Sequence, residues 1–203
     1  VESGKGKACA GDSHSVASAS RGPLACGPMP RSLARDRLRS LLDDAARRRV
    51  AVIGDAMLDV YLRGDVERIS PEAPVPVVRV RDRRYAVGGA ANVAQNVCAV
   101  GARCDLVASI GDDTGGRQLR AMLGDLGVGG ASLVTVERPT TTKTRIVARS
   151  QQVVRVDEEE DADHEAAEVD RLLAAVTTAV AAADALVFED YNKGVLVPRV
   201  IEA

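Results

Sequence analysis

The sequence predicts a layered α/β fold, and three observations predict it. The run "VAVIGD", Val50 to Asp55, is short, wholly apolar until its last two residues and ends in Gly-Asp, which is the pattern of a parallel strand buried on both faces. The stretch "AVGGAANVAQNVCAVGA", Ala86 to Ala102, repeats apolar residues at Ala90, Val93, Ala94 and Val97, giving one buried helical stripe. Strand and helix patterns then alternate to the end of the chain.

In chain order, Leu38, Leu41, Leu42 and Ala45 predict a helix within Ser32 to Arg49 that buries its leucines and turns arginines to water. The strand of Val50 to Asp55 follows and delivers Asp55 at its carboxyl end, with Asp59 four residues on. "VPVVRV", Val75 to Val80, alternates, and Pro71, Pro74 and Pro76 confine it to an edge or a lid. After the Gly-Gly helix come "DLVASIG" as a strand, Arg117 to Leu126 as a helix, and "SLVTV", "TRIVA" and "QVVRV" as strands. The run Asp157 to Asp170 holds nine carboxylates and no Lys or Arg. A metal site is one reading of it; a solvated helix start, where acids suit the dipole, is the reading adopted. That helix reaches about Ala183, and "ALVFED" follows as a strand patterned for burial on both faces.

Composition excludes several classes. The 203 residues are 46% hydrophobic and 28% charged with a net charge of -2, so no overall field points to nucleic acid. No apolar run approaches the roughly 20 residues that cross a bilayer, and a soluble, cytoplasmic protein is expected. Cys9, Cys26, Cys98 and Cys104 show no paired spacing, which favours reduced thiols. Gly, Ser, Ala and Pro fill 18 of the first 30 positions, so residues 1–30 are expected to be a disordered tail and residues 31–203 the folded part.

Gly88 and Gly89 stand just before the first helical turn, where free amides and missing Cβ atoms let a ligand approach the main chain, and Asn92 offers a hydroxyl both a donor and an acceptor. Two readings are open here: a ligand wall, or a glycine turn with an Asn satisfying local backbone. A carboxylate at a strand end together with Gly-Gly-x-x-Asn opening a helix is what a polyhydroxylated substrate needs.

On these residues the chain resembles the ribokinase-like, phosphofructokinase-B type carbohydrate kinases. The segments "GDAMLDVYLRGDVERISPEAPVPVVRV", "GGAANVAQNVCAVGA", "IGDDTGG", "TTTKTRIVARSQQVVRVDEE" and "FEDYNKGVL" carry the likeness, over about Val50 to Glu202. "SPEAPVPVV" and "TKTRIVARSQQVVRVD" place it nearest the members that act on a heptose 7-phosphate. The resemblance implies the amino-terminal part of a three-layer fold with a small β lid that often mediates a homodimer. It implies ATP- and magnesium-dependent phosphorylation of a sugar phosphate, D-glycero-β-D-manno-heptose 7-phosphate to the 1,7-bisphosphate, in ADP-heptose and lipopolysaccharide synthesis. Asp59, with Asp55 near it, is then implied to bind sugar hydroxyls opposite Gly88, Gly89 and Asn92. Lys143 and Arg145 are implied to face the sugar phosphate or the transferring phosphoryl group, although an exposed alternating strand explains them equally well. Asp190 and Lys193, beside Tyr191, are implied to lie on the phosphate path.

The chain lacks the family's Asn-x-x-Glu segment and the Gly-Ala-Gly-Asp segment that holds the base, so no catalytic residue and no metal ligand is assigned within it. An amino-terminal fragment, inactive alone, is therefore expected. No Walker A pattern and no G-x-G-x-x-G after the first strand is present. Two further readings stand beside the heptose one: a non-catalytic sugar-phosphate-binding or interaction protein, and a sister sugar kinase of the same family.

Overall fold

The computed structural model describes residues 34–203, and the expected tail of residues 1–30 lies outside them. In order the chain forms α1 (Arg35–Ala45), β1 (Arg49–Gly54), β2 (Ala56–Ile69), β3 (Pro76–Gly89), α2 (Ala90–Ala99), β4 (Arg103–Gly111), α3 (Thr114–Asp125), β5 (Gly129–Val136), β6 (Thr142–Ala148), β7 (Gln151–Glu158), α4 (Ala166–Ala181), β8 (Ala185–Glu189) and α5 (Pro198–Ile201).

The predicted α/β fold is present. Four strands make a core sheet in the order β5-β4-β1-β8, and all its pairs are parallel. The apolar run of β1 places it between β4 and β8, with Ala51, Val52 and Ile53 fully buried. Helices cover both faces. Val52, Leu106, Ala94 and Leu119 join β1 and β4 to α2 and α3 on one side, and Ile53, Val107, Leu172 and Val200 join them to α4 and α5 on the other. The result is three layers, helix on sheet on helix.

A second sheet, ordered β3-β2-β6-β7, forms the lid. Here the structure departs from the sequence reading. Asp59, four residues beyond Asp55, lies within β2, a 14-residue strand that the sequence reading does not include. The edge strand expected at Val75 to Val80 runs on to Gly89, so Gly88 and Gly89 close β3, while α2 starts at Ala90, directly after the two glycines as expected. The physical reason is pairing. Thirteen registered positions zip β2 to β3 antiparallel, from Ala56 opposite Gly89 to Ile69 opposite Pro76, and absorb Gly64 and the charged residues that hide the alternation.

Two apolar faces expected to be buried are not. The leucines of α1 are exposed, because no other described element covers that side of the helix. Among the described residues β8 pairs only with β1, and Leu186 and Phe188 are exposed at that edge. The acidic run also behaves differently from a solvated helix start. Asp157 and Glu158 belong to β7, and α4 begins only at Ala166, behind a capping box of Glu165 and Glu168.

Before that box sits His164, whose side chain is fully buried. Its Nδ1 is 3.0 Å from Glu168 Oε2 and its Nε2 2.9 Å from Ser109 Oγ of β4, tying the start of α4 to the core sheet. Burial first, and the nearby Arg138 cation second, push the imidazole below its ordinary value of 6.5, against the pull of Glu168. The unfolded chain therefore takes up a proton that the folded chain refuses, and stability falls as the pH drops through about 6.5. Denaturant unfolding at stepped pH is expected to show that slope in the natural chain and to lose it in His164→Gln.

Candidate functional site

The two faces of the lid sheet differ in chemistry. Cross-strand register sets Ala86, Asp59, Lys143 and Asp157 in one row and Arg84, Tyr61, Arg145 and Arg155 in the next, all on one face. Leu58, Val60, Thr144, Tyr85 and Val156 take the other. The predicted carboxylate and the predicted cations thus share a side because β2 and β6 run parallel with Asp59 opposite Lys143.

Asp59 accepts a hydrogen bond from Arg145 Nη1, and the guanidinium lies 5.3 Å from the Tyr61 ring centroid, so the cation is braced by charge and by a π face. Gly88 runs hard against the same carboxylate: a Cβ there would come within 2.8 Å of Asp59 Oδ2 and 2.7 Å of Met57 Cγ. Gly89 is the residue before α2, at φ 55 and ψ -136, and no side chain caps that helix. Asn92 lies exposed in the first turn and its side chain has no hydrogen-bond partner among the described residues. Asp59 and Gly88 thus touch near the base of the lid, where Ala56 pairs with Gly89, and Asn92 follows in the first turn of α2.

Asp55 has another task. Only 2% exposed, its carboxylate accepts from the backbone amides of Tyr191 at 2.8 Å, Lys193 at 3.1 Å and Val195 at 3.2 Å. It pins the loop after β8 rather than standing open beside Asp59. On that loop, Asp190 is exposed and accepts from the Asn192 amide at 2.7 Å, an Asx turn. Lys193 points its ammonium at Asp161 and at Glu159, 3.2 Å away.

Lys143 and Lys193 are brought together by a residue the sequence reading passed over. Glu159 Oε2 lies 2.6 Å from Lys143 Nζ and 3.2 Å from Lys193 Nζ, so one carboxylate oxygen bridges a lid strand and a core loop. Asp157 adds a second acid to Lys143 at 3.4 Å. Hydrogen bonding to Lys143, in spite of burial, keeps the Glu159 carboxyl below its ordinary value, and the Asp161 contact raises the Lys193 ammonium above its own. Among the described residues no group of three or more His, Cys, Asp or Glu is arranged to hold a metal ion. Within the acidic run Asp157, Glu159 and Asp161 pair with lysines, Glu168 with His164 and Asp170 with Arg199.

Two anchors hold that arrangement. Arg138, in the β5–β6 connection, donates to the carbonyls of Ala162 at 2.6 Å, Asp163 at 2.8 Å and Lys193 at 3.4 Å. Asp113 caps α3 through the Gly116 amide at 2.7 Å and takes both the amide and the hydroxyl of Thr140, at 2.7 and 2.8 Å. The signal for Asp113 was present in "IGDDTGG" as an Asp before a helical run; nothing local marks Arg138. A cleft of about 410 Å³ lies on the other lid face, between Leu58, Val60, Tyr85 and Thr144 and the start of α3. None of the predicted site residues lines it, and the polar face carries the chemistry described above.

A family model described as pfkB family carbohydrate kinase matches residues 47–202. Among curated proteins, the bifunctional protein HldE of Rhodospirillum rubrum is 46% identical over 160 residues, which cover 78% of this chain and 32% of that protein. The D-beta-D-heptose 7-phosphate kinase of Bordetella bronchiseptica is 49% identical over 151 residues, covering 74% and 48%. The chain thus spans about a third to a half of the length of these relatives. Among solved structures, the tetrameric inhibited form of phosphofructokinase-2 from Escherichia coli aligns with a TM-score of 0.55 at 18% identity, over 74% of this chain and 47% of that one, a likeness of fold.

Proposed function

The chain belongs to the pfkB family of carbohydrate kinases, and on that ground we propose that residues 31–203 form part of a kinase domain that phosphorylates a sugar phosphate, with a heptose 7-phosphate as its substrate. The observation that carries the reading is the polar face of the lid: Asp59 is backed by Gly88, which leads through Gly89 into the uncapped start of α2 with Asn92 in its first turn, and Lys143 stands one strand away from Asp59 in the same row. A carboxylate and a carboxamide fixed on rigid elements suit sugar hydroxyls, and cations beside them suit a phosphate. The names of the relatives from Rhodospirillum rubrum and Bordetella bronchiseptica support heptose over other sugars, and with it a place in ADP-heptose and lipopolysaccharide synthesis.

In this reading Asp59 accepts hydrogen bonds from ring hydroxyls and trades part of its pairing with Arg145 for them. Asn92 and the first-turn amides of α2 form the opposite wall, and Arg145, Lys143 and Lys193 supply positive charge where the phosphate groups lie. ATP as phosphoryl donor and magnesium as its companion follow from the family. Among the described residues no carboxylate cluster suits the magnesium ion, and no step here runs through either group. The exposed apolar face of the lid, with Tyr85, Val154 and Val156, suits a second copy of the chain laid across it. No helix among the described residues is long and apolar enough to cross a membrane. A cytoplasmic location, with its small-molecule substrate, belongs to the kinase reading.

Calorimetry with a heptose 7-phosphate tests the site. Asp59→Ala and Asn92→Ala are each expected to weaken binding by about 1 to 3 kcal/mol, as for a hydrogen bond removed from a buried partner. Full affinity in both variants would remove the proposed clamp.

A further inference from the structure

Two ammonium groups with one carboxylate oxygen between them make an anion site that is already filled by the protein itself. Lys143 reaches it from β6 in the lid and Lys193 from the loop behind β8 in the core, and both side chains are largely enclosed, at 15% and 13% exposure. Glu159 comes from the connection between β7 and α4, outside any sheet ladder, and is 25% exposed, so its side chain can swing to water without breaking backbone pairing. The lysines have less freedom: Lys143 is held in β6, and Lys193 is held at its amide by Asp55 and at its carbonyl by Arg138.

The geometry points to Glu159 as an internal competitor for phosphate: its carboxylate stands where a phosphate group of the ligand binds between Lys143 and Lys193, and binding displaces it. This rests on the reading of those lysines as phosphate ligands given above. A phosphate offers charge and oxygens to both ammonium groups at once, replacing what Glu159 gives them. A neutral hydroxyl brings no charge, and each ammonium would be left with its second acid alone, Lys143 with Asp157 and Lys193 with Asp161. The hydrogen bond from Lys143 keeps Glu159 ionised at neutral pH, so the competitor is present whenever the ligand arrives. Apparent affinity is then reduced by the fraction of molecules in which the carboxylate is in place.

Calorimetric titration of the 203-residue chain with inorganic phosphate, at fixed ionic strength, reads this directly. Glu159→Gln, close in shape and neutral, is expected to bind phosphate about three- to tenfold more tightly, the gain for a carboxylate in place in most molecules. Glu159→Asp keeps the charge but withdraws it by one methylene and is expected to give a smaller gain of the same sign; it carries the test if the Gln variant does not fold by circular dichroism. Asp44→Asn on α1 changes the net charge equally and is expected to leave phosphate affinity unchanged. Unchanged affinity in both Glu159 variants, with Lys143→Met and Lys193→Met still weakening phosphate binding, keeps the phosphate site and overturns the competitor. If neither lysine variant weakens phosphate binding, the phosphate reading of the lysines fails, and the inference about Glu159 fails with it. A gain in Asp44→Asn equal to that in Glu159→Gln assigns the effect to overall charge and overturns the inference as well.

Discussion

Gly89→Ala is expected to destabilise the chain by on the order of 3 to 5 kcal/mol, from backbone strain together with a lost hydrogen bond. At φ 55 and ψ -136 the residue sits in a region that only glycine occupies readily. Space is refused as well as angle, since a Cβ at Gly89 would fall 2.2 Å from the Asp55 carbonyl oxygen. That oxygen accepts the Ala90 amide at 2.9 Å, the bond that seats the first residue of α2 against the end of β1. Relieving the clash therefore moves either the helix start or the strand end. Urea unfolding monitored by circular dichroism measures the loss, with Gly124→Ala as control. A Cβ at Gly124 in α3 meets nothing within 4 Å, and that variant should gain up to about 1 kcal/mol from helix propensity alone. Equal midpoints for the two variants would contradict the account of Gly89.

Asp55→Ala is expected to cost a similar amount, on the order of 3 to 5 kcal/mol, because it strands the amides of Tyr191, Lys193 and Val195 at a site only 2% exposed. Asp55→Asn should fall between Ala and the natural residue. Its single amide oxygen can replace Oδ2, which takes Tyr191 and Lys193, but not also Oδ1, which takes Val195. Amide hydrogen exchange gives a local readout beside the global one: protection at those three residues should collapse in Asp55→Ala while the β1–β4 ladder keeps its own. Retained protection at Lys193 in Asp55→Ala would show that the loop stands without the carboxylate.

The core sheet was legible because its strands are apolar on both faces: "VAVIGD" and "DLVASIG" announce β1 and β4 without help from their neighbours. The lid was half legible. Prolines marked β3 as an edge, but β2 alternates apolar Leu58, Val60 and Leu62 with Asp59, Tyr61 and Arg63, and the glycine and acids that follow mask its second half. Only the partner strand shows that these residues continue one ladder. In the candidate site, Gly88, Gly89 and Asn92 could be read together because the Gly-Gly-x-x-Asn spacing is local, whereas the closeness of Asp59 to Gly88 comes from the pairing of β2 with β3. Asp55 was placed at the correct strand end but not given its task, since nothing in sequence says that amides 136 to 140 residues away will claim its oxygens. Glu159 was lost in a run of like residues. Its distinction is positional: the hairpin of β6 and β7 returns the chain beside Lys143, while the loop after β8 brings Lys193 from the core.

The length of β2 has a mechanical consequence. Fourteen residues of extended chain reach about 45 Å, and β2 leaves the core directly after β1 while β3 returns at its side to Gly89. The lid is thus a long lever whose fulcrum is its base, formed by the pair Ala56 and Gly89 and by Thr140, which Asp113 holds just before β6. A turn of about 10° at the fulcrum would sweep the far tip through about 8 Å over an arm of that length. Residues near the fulcrum, Asp59 and Lys143 among them, travel least, so the polar row keeps its geometry while the outer part of the ribbon swings.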